Sequence, residues 1–161
     1  MTKSEWLDLT VLERKKYNLL SEVMDVSQQM GEALDRNDDV SVRMLVAMRQ
    51  EPILRLEEIR LAGSARLESL SPADQERARA LREGAAPQGA EEETYCTQAG
   101  STRRLLERVL ELDQRLSRRL AGSATRTLPS RVAPWSTIKW PPLVKWPGPI
   151  RATTREPLNR Y

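Results

Sequence analysis

Histidine and phenylalanine are both absent from the 161 residues. Without histidine the chain cannot run a phosphorelay on imidazole, use a histidine general base, or build most zinc or di-iron sites. A single cysteine, Cys96, excludes an intramolecular disulfide and any cysteine-cluster metal site. With no histidine to activate it, that thiol reads as an inert, partly buried side chain rather than a nucleophile. Long apolar stretches are missing too. The longest run, Met44 to Met48, falls far short of the ~18–20 residues that cross a bilayer. The opening Met1-Thr-Lys-Ser-Glu-Trp6 lacks the apolar core of a secretion signal, so the expected location is cytoplasmic. Glycine-rich phosphate loops and nucleophile elbows do not occur.

What is present is charge: 30% of residues, against 39% hydrophobic and 4% aromatic. That balance suits long helices around a narrow core better than a thick globule. The charge is also unevenly placed. Residues 1–121 hold 19 Lys+Arg against 22 Asp+Glu, a balance of −3. Residues 122–161 hold 7 Lys+Arg against the single acid Glu156, a balance of +6. The second part also carries seven of the ten prolines and three of the four tryptophans. The chain therefore divides into a body, residues 1–122, and a basic tail, residues 123–161.

In the body, Leu12, Lys16, Leu19, Val23, Val26 and Met30 recur at alternating steps of four and three, which predicts a helix over about 4–34 with one packed face. The Asp35-Arg-Asn-Asp-Asp39 run ends that pattern, and Asp38 or Asp39 is placed to cap the next helix. This second helix, about 39–62, has apolar positions at Val42, Leu45, Met48, Ile53, Leu56 and Ile59. The short turn makes it antiparallel to the first. Pro52 predicts a kink near residues 48–51, and Gly63 a stop. Ser71-Pro72-Ala73-Asp74 is a strong helix start, giving a short helix over about 72–83 that Gly84 ends. A fourth helix, about 91–121, buries Leu105, Leu106, Val109, Leu112, Leu116 and Leu120, with Gly122 expected to stop it. No alternating strand pattern appears, so the fold class is all-α: an elongated antiparallel helical hairpin or bundle. The many carboxylates, such as Glu57, Glu58, Glu107 and Glu111, fall on polar faces beside arginines and read as solvated ion pairs. No enzyme is expected, no cofactor is implied, and oligomeric state stays open, since such stripes serve dimers as well as intramolecular bundles.

The series Ala33-Leu34, Asn37-Asp38-Asp39, Leu45, Met48-Arg49-Gln50, Ile53, Leu56 and Ile59 resembles the helical hairpin of the flagellar export chaperones of the FlgN type. Val109-Leu-Glu-Leu-Asp113 with Leu116 and Leu120 is similar to their last helix, so the resemblance covers roughly residues 5–121. It implies a cytosolic chaperone that binds the helical terminus of a hook-associated or filament protein and delivers it to the export apparatus. Recognition of that kind is helix-in-groove packing. Leu106, Val109, Leu110 and Leu120 are the candidate partner-binding residues, because the last helix offers two adjacent apolar edges and a hairpin buries one. Two features depart from the family pattern: Pro52 inside the second helix, and the chain after Gly122.

The tail reads Pro134-Trp135, Lys139-Trp140-Pro141-Pro142 and Lys145-Trp146-Pro147-Gly148-Pro149. Proline at this density excludes helix and predicts an extended, mostly disordered chain. Three readings stand side by side. Trp135, Trp140 and Trp146 anchor the tail on its own body or on a protein partner; or the rings and basic residues contact an anionic membrane surface; or the tail is an inert extension. No motif points to a specific nucleic acid. The alternative to a chaperone is therefore a helical coiled-coil adaptor working through its tail.

Overall fold

The computed structural model describes the backbone of residues 1–127 and the side chains of residues 1–122. Among the described residues all regular structure is helical: α1 Lys3–Asp35, α2 Asp39–Glu68, α3 Pro72–Glu83 and α4 Ala90–Thr127. The boundaries follow capping chemistry. Thr2 and Glu5 form a capping box at the start of α1. Asp38 caps α2 by accepting from Ser41 N, and Ser71 caps α3 ahead of Pro72. Asn37 and Gly84 take the left-handed conformations that end α1 and α3.

Two boundaries depart from the sequence reading. The second helix runs through Gly63 to Glu68, and the fourth runs through Gly122 to Thr127. Glycine ends a helix by turning left-handed, as Gly84 does at φ 107°, and neither Gly63 nor Gly122 does so. At Gly63 there is a reason to continue. Leu67 and Leu70, one turn and two turns on, bury against Trp6 and Leu9 of α1. Each such burial is worth about 1.5–3 kcal/mol, more than the ~1 kcal/mol a helical glycine costs. Pro52 likewise sits inside an unbroken α2, its ring buried toward the core.

α1 is the central helix, packed along its length on both α2 and α4. α2 runs antiparallel to it, α3 turns the chain back at the far end, and α4 runs parallel to α1, so that Tyr95 at its start meets Trp6 with ring centroids 5.4 Å apart. The buried positions keep the coiled-coil rhythm: Leu9, Glu13, Lys16, Leu20, Val23, Ser27 and Met30 on α1, and Tyr95, Ala99, Thr102, Leu106, Val109 and Leu116 on α4. On α1 this seam lies beside the expected one: Leu12, Leu19 and Val26 flank it, half-buried, while Lys16, Val23 and Met30 belong to both. Three apolar clusters result. One lies at the α3 end around Trp6, Leu81 and Tyr95; a middle one holds Leu20, Ile53, Leu56 and Val109; the third, around Met30, Ala33, Val42 and Leu116, closes the α1–α2 turn.

Candidate interaction surface

The apolar clusters are separated by two buried polar layers. The first contains Glu13, Lys16 and Thr102, with Arg82 reaching in from α3. Lys16 Nζ donates to Glu13 Oε1 at 2.9 Å, and Arg82 lies 3.5 Å from the same oxygen. Thr102 Oγ1 donates to Glu13 O across the α1–α4 interface. Burial pushes the Lys16 ammonium below its ordinary value, and the Glu13 carboxylate opposes that shift. Burial also raises the Tyr95 phenol, whose oxygen accepts from Arg82 at 3.0 Å.

The second layer joins the other two seams of the bundle. Arg49, with no exposed surface, extends from α2 and donates to Asp113 Oδ1 of α4 at 2.5 Å. Ser27 of α1 is fully buried at the same level. The Lys16–Glu13 pair lies within α1, whereas Arg49–Asp113 crosses from α2 to α4, so sliding α2 against α4 by a turn would strand a buried guanidinium in an apolar cluster. These are structural sites. They specify how the helices pack and leave no reactive group exposed. Among the described residues no cluster of three or more potential ligands forms a metal site, and no helix is long and apolar enough to cross a membrane.

The residues that sequence spacing nominated for a partner are placed inside. Leu106 and Val109 are buried in the middle cluster against Leu20, Val23 and Ile53. Leu110 packs half-buried on that cluster and Leu120 on the third, so the second apolar edge of α4 is covered by α1 and α2. Two neighbours cover α4 rather than one, which removes the premise that a hairpin leaves an edge open. The outer face of α4 is polar, with Glu93, Thr97, Arg104, Glu107, Arg108, Glu111 and Arg115 exposed. Trp135, Trp140 and Trp146 lie outside the described residues. Cys96 is half-buried, its Sγ 3.6 Å from Leu81 O.

The surface that sequence reasoning missed is on α2. Val40, Met44, Met48, Leu54 and Leu61 are 53–78% exposed. All but Met48, which lies beside it, belong to a second heptad row: Val40, Met44, Ala47, Glu51, Leu54, Glu58, Leu61 and Ala65 recur at steps of four and three, and all eight are exposed. The inward row is Val42, Leu45, Arg49, Pro52 and Leu56. Helix α2 thus presents an apolar seam on each side. The signal was in the sequence, but a single-face reading assigned Met48 to the core, where Arg49 stands instead. Scattered exposed apolar side chains are ordinary; an ordered row of them along one helix is the mark of a contact surface. A smaller groove of about 300 Å³ lies between the N-terminal turns of α1 and α4, lined by Trp6, Leu7, Thr10 and Thr94.

Comparison with known proteins leaves the assignment to this geometry. No protein-family model, curated protein or solved structure matches the chain.

Proposed function

We propose that this chain is a non-enzymatic, cytoplasmic export chaperone of the FlgN type, and that its client is the amphipathic terminal helix of a late-exported hook-associated or filament protein. The observation that carries the reading is the outward heptad row of α2. A client helix laid along Val40, Met44, Leu54 and Leu61 would complete a seam whose geometry already matches helix-on-helix packing. Met44 and Met48 suit such a role, because the unbranched thioether adapts to differing partners. The hairpin resemblance over residues 5–121 supplies the client class. Delivery to the export apparatus follows from the same resemblance.

The test is titration of the full chain with peptides spanning the terminal helices of hook-associated and filament subunits. Saturable binding is expected, lost on combining Met44→Glu with Leu54→Glu while circular dichroism stays helical. Binding by neither peptide class, or binding indifferent to both substitutions, would overturn the reading.

A further inference from the structure

We infer that the outward seam of α2 has a resident occupant: residues 128–161 of the same chain, lying along it as an extended segment with Trp135, Trp140 and Trp146 as anchors. The first support is where α4 leads. Arg119 Nη2 donates to Asp35 Oδ1 at 2.6 Å, and Leu120 packs on the cluster that holds Val42 and Leu45. The chain therefore leaves the bundle beside the α1–α2 turn, where the exposed row begins at Val40.

Reach and spacing give the second. Trp135 lies eight residues beyond Thr127, about 25 Å of extended chain, enough to pass round a helix about 10–12 Å across. From Trp135 to Trp146 is eleven residues, about 34 Å at ~3.1 Å each in polyproline conformation. From Val40 to Leu61 is 21 residues, about 32 Å at ~1.5 Å each in a helix. Trp140 then falls about 15 Å along, between Met48 and Leu54. The prolines at 134, 141, 142, 147 and 149 favour that extended form in advance, which reduces the entropy lost on docking.

Charge separates this occupant from a second copy of the chain. The row contains Glu51 and Glu58 at seam positions, both exposed, with Glu51 paired to Arg55 of the next turn at 2.5 Å. A second copy pairing through the same row would bring two Glu58 carboxylates and two Glu51–Arg55 pairs into one apolar seam, at a desolvation cost. Residues 128–161 instead bring six Lys+Arg against one acid, with Lys139 and Lys145 each directly before a tryptophan. Docking stands on these observations alone; the consequence that the tail competes with a client helix rests on the chaperone reading.

The experiment uses the full chain in three forms: the parent, a seam variant carrying Met44→Glu and Leu54→Glu, and a tail variant carrying Trp135→Ser, Trp140→Ser and Trp146→Ser. The tail variant supplies the Trp6 signal to subtract. In the parent, acrylamide quenching of the tail rings should be about threefold weaker than in the seam variant, since docking removes most of each ring from solvent. Equal quenching in the two forms overturns the proposal. So does shielding that appears only at concentrations where sedimentation shows a dimer, or only after phosphatidylserine vesicles are added. A tail docked nine-tenths of the time would weaken client binding, so the tail variant should bind a client peptide about tenfold more tightly than the parent. Seam-dependent shielding with no client binding in any form would leave the docked tail standing and remove the chaperone reading. Equal client affinity in parent and tail variant would overturn the competition.

Discussion

At the scale of single residues, the decisive features are charges held where apolar side chains would be expected. Asp113 is only slightly exposed, and Arg49 opposite it not at all. Replacing Asp113 with Leu removes the acid facing a buried guanidinium and should cost about 3–5 kcal/mol, read by urea unfolding. Combining it with Arg49→Leu should recover most of that loss, because a well-packed apolar pair of similar volume is neutral or stabilising. A double variant as unstable as the single would mean that the layer supports the fold through interactions other than this pair. The core position of Leu106 carries a prediction of the same kind. Leu106→Asp would bury a carboxylate among Leu20, Ile53 and Val109, so the helical signal itself should collapse.

Elements depend on what their glycines and caps are asked to do. Gly63 is helical, and a Cβ added there meets nothing within 4 Å. Gly63→Ala should therefore stabilise the chain by about 0.5–1 kcal/mol in thermal or denaturant unfolding. Gly84→Ala should act in the opposite direction by about 1 kcal/mol, because φ 107° is strained for any residue with a Cβ. The contrast separates glycines that sequence reading treated alike. A glycine is a stop only where the tertiary structure needs the chain to turn left-handed, and at Gly63 the burial of Leu67 and Leu70 requires the helix to go on.

For the whole molecule, surface carboxylates tie the helices together and set the acid limit. Asp74 accepts from Ser71 and from the N-terminal amine of Met1, and these contacts hold its carboxyl below the usual range. The side-chain bond from Arg77 does the same for Glu92, linking α3 to α4. A carboxyl whose folded pKa is depressed contributes stability that is present above its unfolded value and lost as pH falls through the folded one. Stability should thus hold down to the ordinary carboxylate range and decline below about pH 4. Lys16 has the opposite sense. Its folded pKa is lowered, so the unfolded chain binds the extra proton, and its contribution improves as pH rises toward the ordinary lysine value. Glu13→Leu combined with Lys16→Met should flatten that alkaline dependence in unfolding measured from neutral to alkaline pH.

Composition and local pattern determined a good deal by themselves. The all-α class, the antiparallel first pair, the Asp38, Ser71 and Gly84 boundaries, and the division between body and basic tail are all read from short-range physics: capping, periodicity and charge count. These depend on neighbours within a turn or two, so the linear sequence contains them. Which apolar row faces in is different. α2 carries two heptad rows; periodicity picked out Val42, Leu45, Ile53 and Leu56, which are buried, but put Met48 where Arg49 stands. Only the approach of α1 and α4 decides that a charged Arg49 goes inward while Val40, Leu54 and Leu61 form a row outside. The same packing paired Arg49 with an aspartate 64 residues away. Burial is a property of what comes alongside, and what comes alongside is decided by the assembled helices.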